Sequence, residues 1–469
     1  AGCIGIRVAV LIGERQLAKS LQGRSRGFPR GRGVLWGSFL TALNGRNTMT
    51  RYRKERPSRR YLLAVLLLAS GVLAPGAVQA GATFKIDDTK WVSVGAGLKT
   101  SFAAVEDSAG VRNDKWDEDF FLNAIRLYIN GQLHEYIKLT FNTECHNCSD
   151  GGSIRVLDAI ARFEFNNYFN VWFGRTLVPA ERTEMDGPFY NPFFDTFGKS
   201  PFNPADFGLQ GNTTFPAQDP ANATTGGAAG QFGRDDGVVL WGSLTPDKRL
   251  KYAVGAFSGL DNDAINPDGE LQYAVRLAYN FWNVEDNPGY WTSSTYYGKA
   301  GDVFTVGASN IYHKDGAGTA ADRGDFMGIE GDLLLEKVLA NNGVVTLLGE
   351  GKSYELTDLD ETAARTGPLD CFCLFGGYSY SAGLLYLFPQ QVGIGQIQPY
   401  ARFSQILPDG SSDREEVEAG INYVIDGHNA RISLIYQYGD LATKGIFDFR
   451  PDVSGDEVHA VKLGIQLQL

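Results

Sequence analysis

The chain has 469 residues and a net charge of −11, but that charge is split. Residues 1–80 carry fourteen Lys and Arg against two Asp and Glu, or +12, which leaves −23 for residues 81–469. A basic leader ahead of an acidic body argues against one uniform domain, and the body lacks the clustered Lys and Arg that nucleic-acid phosphates require. With 43% hydrophobic residues and 57 glycines, the chain is neither disordered nor collagen-like.

Residues 1–48 are basic and rich in Gly and Arg. They are expected to be an upstream extension outside the functional protein, with an extended leader as the alternative. Met49 then opens a signal peptide over residues 49–80. Its charged region holds Arg51, Arg53, Lys54, Arg56, Arg59 and Arg60, and its apolar run is Leu62–Leu68. Pro75 and Gly76 break the helix, and Val78 and Ala80 fit the small-residue rule before a cut after Ala80. The apolar run falls short of the roughly 20 residues a spanning helix needs. No later stretch reaches that length, so residues 81–469 are expected to form a single domain without spanning helices.

From residue 90 the pattern changes to period two. In residues 154–165, Leu157, Ala159, Ala161, Phe163 and Phe165 alternate with Asp158, Arg162 and Glu164. In residues 271–281, Leu271, Tyr273, Val275, Leu277, Tyr279 and Phe281 alternate with Gln272, Ala274, Arg276, Ala278 and Asn280. At the C-terminus, Val461, Leu463, Ile465, Leu467 and Leu469 alternate with Lys462, Gly464, Gln466 and Gln468. Such alternation marks strands with one apolar face.

About sixteen such segments can be placed, at roughly 90–105, 120–133, 137–145, 154–166, 170–180, 236–245, 249–259, 270–282, 303–314, 325–338, 344–356, 377–388, 396–407, 416–426, 430–440 and 458–469. Short turns are expected near 134–136, 166–169, 246–249 and 408–412. Long polar loops are expected at 107–118, 183–233, 261–269 and 356–376. Strands long enough to cross a membrane tilted, with short turns at one end and long loops at the other, predict an all-β transmembrane antiparallel barrel. Aromatics at strand ends, including Tyr136, Tyr168, Phe169, Trp241, Trp282, Tyr378, Phe388 and Tyr438, suit the membrane–water interface. Lipid leaves exposed backbone groups unsatisfied, so the sheet must close.

Sixteen strands enclose an aqueous lumen, whereas about eight would be filled by side chains. The loop from Thr183 to Gly233 is far longer than the others, and its first half is rich in Phe, Pro and Asn. That half is expected to fold into the lumen and narrow it. The candidate pore-lining and constriction residues are Arg126, Asp158, Arg162, Arg175, Glu184, Asp186, Asp195 and Lys199. Acidic groups on the loop facing arginines on the wall would set a transverse field.

Four cysteines, Cys145, Cys148, Cys371 and Cys373, fall in long-loop positions and are candidates for disulfides in an oxidising compartment. A Cys/His metal site with His146 is the alternative. No GxSxG or HExxH segment occurs, and His134, His313, His428 and His459 are scattered, so no catalytic residue, metal or cofactor is assigned.

The segments AIRLYINGQLHEYIKLTFNTE (124–144), LDAIARFEFNNYFNVWFGRTLVPAERTEMDG (157–187) and RDDGVVLWG (234–242) resemble the phosphate-selective porin O and P family. The resemblance covers about 120 residues and includes Gly174-Arg175-Thr176-Leu177-Val178-Pro179 leading into the long loop. It implies a sixteen-stranded, trimeric porin with an inward third loop. The single Lys in the first half of that loop, and Ala124-Ile125-Arg126 where the family has an arginine doublet, depart from its anion-specific members.

The expected protein is therefore a bacterial outer-membrane porin passing small hydrophilic solutes or ions by passive diffusion. Its partners would be the lipid bilayer and copies of itself, not nucleic acid. An anion- or phosphate-selective channel, and a barrel sheath for an electron-transfer conduit, are the alternatives.

Overall fold

The computed structural model describes residues 81–109, 115–145, 154–195, 233–259, 268–318, 323–358, 376–410, 412–444 and 455–469. The leader (1–80), Lys199, Cys148, Cys371 and Cys373 lie outside the described residues.

Sixteen strands form the wall: β2 (Trp91–Ala109), β3 (Lys115–His134), β4 (Ile137–Cys145), β5 (Ile154–Glu164), β6 (Asn170–Leu177), β7 (Arg234–Ser243), β8 (Leu250–Phe257), β9 (Gln272–Asn280), β10 (Val303–Gly318), β11 (Arg323–Val338), β12 (Val344–Thr357), β13 (Gly377–Leu387), β15 (Gly395–Pro408), β16 (Arg414–Asp426), β17 (Ala430–Gly439) and β18 (Val458–Gln468). Two short strands, β1 (Ala82–Lys85) and β14 (Gln391–Val392), pair with β2 and β15. Each wall strand pairs antiparallel with the next, and β18 returns to β2 from Ala460 opposite Val105 to Gln468 opposite Gly97. The closed, all-β antiparallel barrel predicted from the alternation is what forms.

The pleat sorts the side chains as the period-two pattern requires. On β9, Tyr273, Val275, Leu277 and Tyr279 are exposed outside, while Gln272, Ala274, Arg276 and Asn280 are buried inside. On β18, Val461, Leu463, Ile465 and Leu467 face out and Gln466 and Gln468 face in. An apolar exterior around a polar interior inverts a soluble protein and suits lipid. Aromatic contacts ring the short-turn end: Tyr136 with Phe165, Phe165 with Phe169, Phe281 with Phe304 and Tyr386 with Phe388. Trp241 does not join this belt. It stands on the inner side of β7 with the buried Val239, its ring 5.6 Å from that of Trp172.

Two expectations about connections are corrected. The short turn expected near 408–412 belongs to the long-loop end, because β15 runs toward it and ends at Pro408. Seven of the residues 107–118 are strand, since β2 and β3 extend to Ala109 and from Lys115. Conversely, the β9–β10 connection (281–302) spans 22 residues at the short-turn end, where an alternation count sees only a gap. It folds inward.

The interior is also not purely aqueous. One apolar cluster inside the wall joins Trp172, Leu177, Met185, Phe257, Tyr290 and Phe326, and a second joins Phe193, Leu334, Leu385 and Tyr400. Long connections from both ends supply these packing partners.

Candidate pore constriction

The third loop enters the lumen directly after β6. Helix α1 (Arg182–Tyr190) starts at Glu181, whose Oε1 accepts the Glu184 N–H at 3.1 Å. Gly187, at φ 65° and ψ 178°, breaks the helix one residue before Pro188 and turns the chain across the barrel. Residues 189–195 then run along the wall with Phe189, Phe193 and Phe194 all buried.

Each of these rings rests on a glycine and beside a cation. A Cβ on Gly97 would lie 2.8 Å from Phe189, one on Gly383 2.2 Å from Phe193, and one on Gly464 2.5 Å from Phe194. No side chain fits in those three dimples. Arg126 lies 5.2 Å from the Phe189 centroid, Arg402 4.4 Å from that of Phe193, and Lys99 4.4 Å from that of Phe194. Such contacts contribute about 0.5–2 kcal/mol each, more where water is excluded.

Irregular backbone in a lumen needs outside partners for its carbonyls. The wall provides them. Lys99 Nζ donates to Pro188 O at 2.8 Å and Phe194 O at 2.7 Å. Arg431 donates to Asn191 O at 3.0 Å, Asn422 to Pro192 O at 3.0 Å, and Gln466 to Phe189 O at 2.9 Å. Arg402 reaches Asp195 O at 2.9 Å, and Arg276 reaches Ala180 O at 2.8 Å. The loop is thereby fixed to β2, β9 and β15–β18.

The inward connection 281–302, here the strap, meets the loop from the opposite end. Ser294 N donates to Tyr190 O at 3.2 Å, and Thr292 Oγ1 to Arg182 O at 2.9 Å. Ser294 Oγ donates to the Asp186 carboxylate. Arg182 grips Glu285 in a two-pronged pair at 2.8 and 3.1 Å, donates to Ser293 O at 2.6 Å, and lies 3.4 Å from Asp332. Burial alone would raise the Glu285 carboxyl, but the Arg182 guanidinium outweighs it and holds Glu285 below the usual range. On the wall side, Glu336 accepts from Thr295 Oγ1 at 2.6 Å, Tyr296 N at 2.9 Å and Gly298 N at 2.8 Å. Gly289 covers Trp172, since a Cβ there would lie 2.3 Å from the indole.

The residues singled out from sequence fall into three groups. Arg126, Asp158 and Arg162 are buried on the inner wall, and each is paired. Arg126 pairs with Glu144. Asp158 takes Arg234 at 3.0 Å and Asn142 at 2.8 Å. Arg162 takes Glu164 at 2.6 Å and stacks 4.8 Å over Trp172. Glu184, Asp186 and Asp195 lie on the loop. Burial pushes the Asp186 carboxyl well above the usual carboxylate range, although Ser294 and Asn191 donate to it. Asp195 accepts from Lys462 and, at 3.1 Å, from Gln437. Arg175 departs from the lumen assignment. It alternates with the buried Trp172 and Thr176, shares the outward side with the exposed Phe173, and pairs with Asp236 at 2.8 and 3.0 Å. Of the four cysteines, Cys145 is within the described residues and is disulfide-bonded.

The alternation did not reveal the carbonyl-binding set, Lys99, Arg276, Arg402 and Arg431, as a group. Its signal was nonetheless in the sequence: a long basic side chain at an inward position within a strand. Among the described residues no group of three or more His, Cys, Asp or Glu side chains is placed to hold a metal.

No protein-family profile matches the chain, and no curated protein matches it in sequence. Solved structures do match in fold. The anion-selective porin from Comamonas acidovorans is 14% identical, with 81% of this chain covering 100% of that one and a TM-score of 0.50. OprB of Pseudomonas putida is 9% identical over 81% of this chain and 94% of that one, with a TM-score of 0.49. The outer membrane channel DcaP of Acinetobacter baumannii is 11% identical over 83% and 100%, with a TM-score of 0.47. The chain shares the closed barrel architecture of porins in general, and the resemblance to the O and P family gains no support beyond that architecture.

Proposed function

We propose that the chain is a bacterial outer-membrane porin. In this reading the apolar wall stands in the bilayer, and small hydrophilic solutes or ions diffuse down their gradient through the restricted interior. The observation that carries it is the third loop, clamped across a sixteen-stranded lumen by wall cations that bind its carbonyls. Sieving then comes from two segments, the loop and the strap. The signal peptide, the homotrimer and the remaining disulfides expected from the sequence belong to the same reading.

Charge selectivity is weak in this account. Each of the wall arginines described above is committed to a carboxylate, a carbonyl or a ring, so these arginines offer phosphate no ladder of uncommitted cations. Of the loop acids, Asp186 is shifted toward its neutral form and Asp195 is neutralised by Lys462. The sheath alternative is disfavoured because the chain's own loop and strap occupy the space a partner would need. Reversal potential across a salt gradient tests this. The wild type should show a ratio of cation to anion permeability within a few-fold of one, and the triple variant E184Q/D186N/D195N should move it little. Strong anion selectivity would overturn the proposal in favour of the phosphate-type channel.

A further inference from the structure

A cavity of about 440 Å³ opens between the strap and the inner faces of β7–β9, at the short-turn end of the constriction. That volume is within the range of small-molecule sites. We propose that it is a binding subsite for a small neutral polyhydroxylated solute of sugar size. The inference rests on the channel reading only for its place on a permeation path.

The chemistry of the lining carries the choice of ligand. The indoles of Trp241 and Trp291 border the cavity, together with Asn166, Asn167 and Asn287. A pyranose offers apolar C–H faces to such rings and a rim of hydroxyls that both donate and accept, as an amide does. The indole N–H of Trp241 is buried away from the open volume, so the residue offers its apolar ring surface and not a donor.

The charges there are already matched, which argues against an ionic ligand. Arg182 is closed on Glu285 and Ser293 O, and Arg276 on Asp332 and Ala180 O. Lys251 donates to the Glu285 carbonyl. The exposed Lys248 and Asp286, of opposite charge, both line the rim. A carboxylate entering this cavity would find no uncommitted guanidinium, whereas a sugar finds amides for its hydroxyls and indoles for its C–H faces.

The test uses the purified, folded barrel in detergent, with D-glucose and maltose as neutral probes and citrate as the anionic comparator. Saturation-transfer NMR should show the sugar C–H protons receiving magnetisation, with a dissociation constant on the order of millimolar, as expected for a ligand of about twelve heavy atoms. Trp241→Ala removes that ring surface and should weaken binding about five-fold. Citrate should show no saturable effect. Absence of transfer to either sugar in the wild-type barrel, or saturable binding of citrate alone, would overturn the subsite. Bilayer recordings separate the two readings. A barrel that binds sugar but never conducts sinks the channel and leaves the subsite standing. A conducting barrel that binds no sugar does the reverse.

Discussion

Arg182 joins the loop to the strap, so its removal is the sharpest perturbation of the constriction. In Arg182→Leu the Glu285 carboxylate stays buried without its guanidinium, while Asp332 keeps Arg276 at 2.5 and 3.0 Å. Breaking a buried pair by deleting one partner costs about 3–5 kcal/mol, whereas replacing both partners by apolar groups is often neutral. The barrel ladder is untouched, so the loss should be local. Hydrogen exchange at the amides of Ser294, Tyr296 and Gly298 reads it, because each donates to the loop or to Glu336. Converted at about 1.4 kcal/mol per tenfold, protection should fall by about two to more than three orders of magnitude in Arg182→Leu. It should largely return in Arg182→Leu/Glu285→Leu. A double variant as unprotected as the single, or a single variant as protected as wild type, would refute the claim that this pair holds the strap.

Further outcomes follow from the same geometry. Gly383→Val must displace Phe193 from its dimple, so it should alter single-channel conductance while leaving a heat-modifiable, folded barrel. Gly351→Val, where the nearest atom to a new Cβ is 3.9 Å away, should leave conductance unchanged. His428 gives a pH dependence. Its half-buried ring meets Ser293 Oγ at 3.2 Å and Thr295 O at 2.9 Å, and burial, with help from Arg431 and Lys299, lowers it to about 4. The closed strap therefore disfavours the proton that the open strap accepts near the ordinary pKa. The latch should be at full strength above about pH 6.5 and weaken by at most about 1.4 kcal/mol per unit down to about pH 4. Strap-amide exchange measured from pH 7 to 4, corrected for intrinsic rates, checks this, and His428→Asn should flatten the profile. Arg175→Ala should leave ion selectivity unchanged, because that side chain faces outward, and a shifted reversal potential would contradict its placement.

The wall was legible in the sequence because a half-buried strand leaves a period-two signature, and β9 and β18 carry it without a break. The strap was not legible. Residues 281–302 make their contacts through backbone groups, hydroxyls, the Glu285 carboxylate and single aromatics, with no period to detect. Arg175 carries a charge that suits a pore wall, but its parity sets it on the outer side. Counting from Trp172 and Thr176 puts it outside, near a strand end where an Arg–Asp pair is tolerated. The loop anchors lay between these cases. Glycine in a strand often marks a close approach, and Gly464 interrupts an otherwise regular inward row. Its partner, Phe194, is 270 residues away, so only the closed barrel reveals the contact.

The central claim is that a self-constricted barrel still conducts. Reconstitution of the purified protein into a planar bilayer tests it most directly. The account predicts discrete, ohmic conductance steps in concentrated salt, with step size increased by Arg182→Leu or by replacing residues 286–300 with a short turn. A folded barrel that inserts yet yields no steps, in the wild type and in the strap-shortened variant alike, would contradict it.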